Sequence, residues 1–133
     1  YVEDIDPYLM AFSRLLKKGG KLSIVKHNHV GRIMHTVIFE NDIKKARELL
    51  LGKDYLTHSM GQAVYYEIAD VIKPYPFEIL EFQGIRIFYG LQPNDVKTDP
   101  GWRENMIEME LAVNNQSPYR DIAAFQHYWL VKK

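Results

Sequence analysis

The sequence predicts an α/β domain whose sheet is incomplete on one side. Apolar residues make up 47% of the 133 residues, enough for a packed core, and the length fits one domain. Helical and strand patterns alternate, and the crossovers between strands are long enough to hold helices. Only three strand patterns occur, fewer than the roughly five of an ordinary sheet. Three strands alone would leave long apolar edges facing water, which proteins normally avoid.

The elements follow in order. Asp6-Pro7 opens a helix, with Asp capping free amides and Pro suited to the first turn. Leu9, Phe12, Leu15 and Leu16 fall on one face, and Lys17 and Lys18 suit the negative end of the helix dipole. Gly19-Gly20 is the stop. Residues 21 to 27, Lys-Leu-Ser-Ile-Val-Lys-His, are the first strand. Asn28 to His35 is polar and holds Gly31, which predicts a loop. A helix runs from Asn41 or Asp42 to Leu51, with Ile43, Ala46, Leu49 and Leu50 inward and Gly52 as its stop. Another spans about Gln62 to Ile72 through Val64, Ile68, Val71 and Ile72, until Lys73-Pro74-Tyr75-Pro76 breaks it. The second strand covers about Glu78 to Tyr89, where Gly84 marks a bulge or a close approach. Turn residues at 92–95 and 99–101 precede a helix from Trp102 to Asn115. Its core stripe is Trp102, Met106, Met109 and Val113, and Ser117-Pro118 ends it. Phe125 to Val131 is the last strand. No internal repeat or low-complexity tract interrupts this order.

Lys plus Arg and Asp plus Glu number 17 each, so overall charge does not argue for nucleic acid or membrane binding, although a local basic patch is compatible with neutrality. The absence of cysteine excludes disulfides and thiolate sites and suits a cytoplasmic location. No apolar run approaches the ~18 residues of a membrane span, and the opening Tyr-Val-Glu-Asp-Ile-Asp is no signal peptide. A chain that opens on Tyr1 and runs at once into a helix is expected to continue something longer.

The helix end Leu-Leu-Lys-Lys-Gly-Gly followed by Lys-Leu-Ser-Ile-Val resembles the entry into the fifth strand of class I S-adenosylmethionine-dependent methyltransferases. Asn28, Gly31, Met34-His35, Gly84-Ile85-Arg86-Ile87-Phe88, Glu108-Met109-Glu110, Pro118-Tyr119 and His127 resemble one subgroup. These are the bacterial enzymes that esterify 5-carboxymethoxyuridine at the tRNA wobble position. The resemblance covers nearly the whole chain, is poor over residues 40 to 80, and corresponds to the C-terminal half of that fold. It implies that residues 1–133 form a single C-terminal portion of a methyltransferase domain. That portion holds strands five to seven, with helices, of a Rossmann-like sheet that is incomplete on the strand-four side. Strand seven is expected antiparallel between five and six. The family's glycine-rich loop and the acidic end of its second strand, which bind the methyl donor, have no counterpart here. S-adenosylmethionine is therefore implied as the cofactor of the full-length enzyme, and this chain alone is expected neither to bind it well nor to be active.

In that topology Lys26 to Arg32, Arg86 to Tyr89 and Pro118 to Arg120 converge at the carboxyl edge of the sheet. A carboxylate acceptor is already nucleophilic, so methyl transfer rests on positioning and exclusion of water, and no catalytic residue is singled out. Arg86 can hold a carboxylate or phosphate through paired N–H bonds. Lys26, Arg32 and Arg120 can meet RNA phosphates, Tyr89 or Tyr119 can stack on an unpaired base, and His27 and Asn28 can read base edges or shape the pocket. Each has a plainer reading. Arg86 can pair with Glu81, Glu108 or Glu110; Arg32 and Arg120 can be solvated; Tyr119 can be packing; His127 can be a core histidine. Glu108 and Glu110, two apart on a helix, do not share a face. His27, His29 and His35 invite a zinc comparison, but no fourth ligand stands nearby, and no metal site is expected. The expected partners are tRNA or a small carboxylate acceptor, and no membrane. The rival reading is a non-catalytic α/β module that dimerises, or exchanges strands, through its open sheet edge.

Overall fold

The computed structural model describes residues 4–53, 56–57, 61–62 and 65–133. Helix α1, Asp6–Leu15, leads into strand β1, Lys21–His27. The backbone N–H of Asp6 donates to the Asp4 carboxylate at 3.0 Å, so Asp4 rather than Asp6 supplies the local side-chain acceptor. Leu9 is fully buried and Phe12 and Leu16 pack against the same cluster, whereas Leu15 is 79% exposed. Gly19 takes a positive φ of 81°, and the Gly-Gly stop is stitched to the chain end. Gly19 N–H donates to the Lys132 carbonyl at 2.7 Å, and Lys132 N–H donates to Gly20 at 2.9 Å. The Lys132 ammonium, not Lys17 or Lys18, binds the last carbonyls of α1, those of Ser13 and Leu16.

The predicted loop at 28–35 is instead helix α2, His29–Ile38. Val30, Ile33, Met34 and Val37 recur at helical spacing within it, and its glycine has a tertiary reason: Gly31 lies against the backbone of Ala123 so tightly that a Cβ would collide with that carbonyl. Helix α3, Ile43–Leu50, is capped by Asp42, whose carboxylate accepts from Lys45 N–H at 3.0 Å. Ala46 and Leu49 are buried as expected, but Ile43 and Leu50 face solvent. Two short strands, β2 (Leu56–Thr57) and β3 (Gly61–Gln62), pair with each other. Helix α4 is only Ile68–Val71, so the longer helix expected from Gln62 is corrected; Val64 lies outside the described residues.

Strand β4 is Phe77–Ile85, and strand β5 is Phe125–Lys132. The expected extension of β4 to Tyr89 fails because Arg86 turns left-handed, with φ 59°. A bulge does occur in β4, but between Ile79 and Glu81. Gly84 serves the other purpose, a close approach by Ala123 and Arg120. Helix α5, Trp102–Val113, turns Met109 outward and Glu110 inward, so the expected stripe is interrupted by a carboxylate.

The sheet has the order β1-β5-β4. Strand β5 is antiparallel to both neighbours, which makes β1 and β4 parallel to each other. Strand alternation separates two faces. Leu22, Ile24, Phe77, Ile79, Phe82, Tyr128 and Leu130 lie on the face packed by α1, Ile68 and Ile72. On the other, Val25 is 56% exposed, and His127, Trp129 and Val131 are only half-buried. Among the described residues no helix is long and apolar enough to cross a membrane.

Candidate functional site at the carboxyl edge of the sheet

Three segments meet where β1 and β4 end. Asn28 N–H donates to the Ala124 carbonyl at 3.1 Å, and Ala124 N–H donates to the Arg86 carbonyl at 3.1 Å. The buried Asn28 side chain donates to the carbonyls of Asp121 at 2.7 Å and Ala123 at 2.9 Å. Asn28 is thus an anchor whose NH₂ is spent on backbone carbonyls.

A cleft of about 170 Å³ opens beside this junction, lined among others by His27, Arg32, His35, Arg86 and Phe125. His27 tilts against Phe125, ring centroids 4.8 Å apart. Burial pulls the His27 imidazole below its ordinary range, and the cations Arg32 and Lys26 act in the same direction. Arg32 reaches Glu40 at 3.4 Å. Glu40 is a hub that also approaches His35 Nδ1 at 3.3 Å and Lys45 Nζ at 3.1 Å. Burial lowers the His35 pKa, opposed by Glu40 and assisted by Arg32 and Lys45.

Arg86 forms no ion pair or side-chain hydrogen bond among the described residues; its guanidinium lies 4.6 Å from the centre of the Tyr89 ring. Glu110, one of its expected partners, is engaged elsewhere. Its carboxylate accepts the successive amides of Ile87 (2.8 Å), Phe88 (2.7 Å) and Tyr89 (3.0 Å). The left-handed Arg86 and this run of amides make a small anion-binding concavity that the protein fills with its own carboxylate. Arg86 is left exposed with its charge unpaired.

The remaining expected site residues divide. Lys26 is buried on the opposite sheet face from His27, as strand alternation requires, so it does not reach this cleft. It lines a separate cavity of about 510 Å³ with His29, Tyr65, Tyr66 and Glu67. Burial lowers its pKa, opposed by Glu67. Tyr89 is approached by two cations, Arg86 and Lys97, whose Nζ is 4.4 Å from the ring centre. Tyr119 meets Phe88 edge-on at 6.4 Å and lines none of these cavities. Arg120 is half-buried: it donates to Ser117 Oγ and the Phe82 carbonyl, each at 3.2 Å, and lies over the Phe82 ring. His127 is half-buried and hydrogen-bonded to Ser23 Oγ at 2.7 Å. Among the described residues no group of three His, Asp or Glu side chains could hold a metal.

Glu40 and Phe125 were not singled out by sequence reasoning. Glu40 follows α2, whose helical course was itself hidden, and Phe125 read only as a strand residue. No family model matches the chain, and no curated protein matches it.

Proposed function

We propose that this chain is the acceptor-side, C-terminal portion of a class I S-adenosylmethionine-dependent methyltransferase that esterifies a carboxylate, the wobble 5-carboxymethoxyuridine of tRNA being the acceptor favoured by the resemblance. The observation that carries this reading is the strand order: a last strand antiparallel between two mutually parallel ones. That is the arrangement the resemblance implies for strands five, seven and six. Among the described residues no strand pairs with the outer edge of β1, which agrees with a neighbouring strand supplied from elsewhere.

The residues present do not fit the methyl donor. Gly19 and Gly20, the chain's one Gly-Gly pair, donate their amides to Lys132 and Lys17 carbonyls, so they cannot cradle a nucleotide. Their work in this reading is confined to the acceptor. Arg86 and Arg32 attract a carboxylate to the cleft, and burial lowers the pKa of the His27 ring beside them. Phe125 supplies an apolar wall. A methyl ester carries no charge for these arginines to hold. Titration with 5-carboxymethoxyuridine and its methyl ester tests the assignment. Binding of the acid, weaker binding of the ester, and loss in Arg86→Ala support it; equal binding of both contradicts it.

A second reading, a module that dimerises through an open edge, is favoured by the exposed Val25 beside the outer edge of β1. Light scattering of the chain and of Val25→Lys addresses it. A monomer in both would remove that reading.

A further inference from the structure

An apolar-walled cavity lies on the other side of Arg86. It has a volume of about 520 Å³ between the end of β4 and helix α5, within the range of ordinary small-ligand sites. Its apolar wall includes Ile85, Trp102, Met106, Ile107 and Leu111. Ile107 is 48% exposed and Leu111 66% exposed, so this surface is uncovered. The charged groups in the wall are Arg86, Arg103 and Glu110. Glu110 is satisfied by three backbone amides. Neither arginine has an ion pair or side-chain hydrogen bond among the described residues. The balance is an apolar cavity carrying two unpaired guanidinium groups, the complement of a small molecule with an apolar body and one acidic group.

We infer that the cavity between β4 and α5 is a binding site for a small amphipathic carboxylate, its apolar body against Trp102, Ile107 and Leu111 and its acid held by Arg86 and Arg103. This site shares only Arg86 with the acceptor cleft and does not depend on the methyltransferase reading. Arg86 forms part of both walls, so an anion on one side competes for the guanidinium that serves the other.

The probe is 4-phenylbutyrate, with neutral 4-phenylbutyramide as its control, titrated calorimetrically into the chain. One saturable site is expected, with the amide binding about tenfold more weakly for loss of a charged pair. Arg103→Ala and Ile107→Asp are each expected to weaken the acid about tenfold. Both positions are exposed, so the variants keep the fold, checked by circular dichroism. Arg32→Ala, whose residue lines the acceptor cleft and not this cavity, is expected to leave binding unchanged. Absence of saturable binding, equal affinity for acid and amide, or indifference to Ile107→Asp overturns the inference. Loss in Arg32→Ala alone would assign the probe to the acceptor cleft and likewise overturn it. So would an α5-mediated dimer, abolished by Ile107→Asp, that the probe fails to dissociate.

Discussion

Replacing Glu110 with alanine removes one acceptor from three consecutive amides at the turn that carries Arg86 and Tyr89. Hydrogen bonds to a charged group contribute roughly 1.5–3 kcal/mol each. These three are half-buried, so water recovers part of the loss, and roughly 3–4 kcal/mol in total is expected for Glu110→Ala. That is a large share of the ~5–15 kcal/mol that holds a domain of this kind together. Glu110→Gln separates charge from geometry. Oε1 alone serves Phe88 and Tyr89, so a glutamine carbonyl in that place keeps both bonds. Its NH₂ then faces Ile87 N–H, donor against donor, for a cost of roughly 1–2 kcal/mol. Equilibrium urea unfolding measures both, provided that the slope is unchanged. A Glu110→Ala variant within about 0.5 kcal/mol of the parent, or a glutamine as damaging as alanine, would refute the three-amide account.

Gly31→Ala places a Cβ into the Ala123 carbonyl and is expected to cost roughly 3 kcal/mol or to prevent folding, read as lost soluble yield or a lowered urea midpoint; normal stability would contradict the tight α2 packing. Lys26→Met removes a buried cation whose one described hydrogen bond is a long 3.4 Å contact to the His27 carbonyl. A gain of about 1 kcal/mol is expected, and a comparable loss would show that the charge is needed for the fold. His27 and His35 both have lowered pKa values, so the unfolded chain binds more protons than the folded one below about pH 6.5. The contribution of these rings is therefore fully present above that pH and is lost as pH falls through the lowered folded values. Partial exposure keeps the change modest. The urea midpoint should fall from pH 7.5 to about 5.5, and less so in a His27→Gln, His35→Gln variant; a midpoint that rises on acidification would contradict the sign.

What was legible in the sequence was local. The Gly-Gly stop and the alternation of 21–27 carry their own chemistry, and α1, β1 and β5 lie close to where that chemistry puts them. What was not legible depends on partners far along the chain. Helix α2 has an apolar stripe of its own, Val30, Ile33, Met34 and Val37, which the polar residues and Gly31 around it obscured; what the sequence could not show is that Gly31 sits against the backbone of Ala123, 92 positions later. The strand pattern of Ile85 to Tyr89 continues past the real end because Glu110, more than 20 residues later, captures the amides that would otherwise extend a ladder. The same contact explains the expected pairing of Arg86 with a glutamate: opposite charges are visible in a sequence, but a carboxylate's preference for three amides is not. Lys26 and His27 were read as one functional stretch, although a strand sends neighbours to opposite faces.

The most direct test of the central claim is calorimetry with S-adenosylmethionine, on this chain and on the chain extended by its upstream coding sequence. The account predicts binding of one equivalent by the extended protein and none by this chain. Binding by this chain alone, or an upstream sequence without a strand, a glycine-rich turn and an acidic strand end, would contradict it.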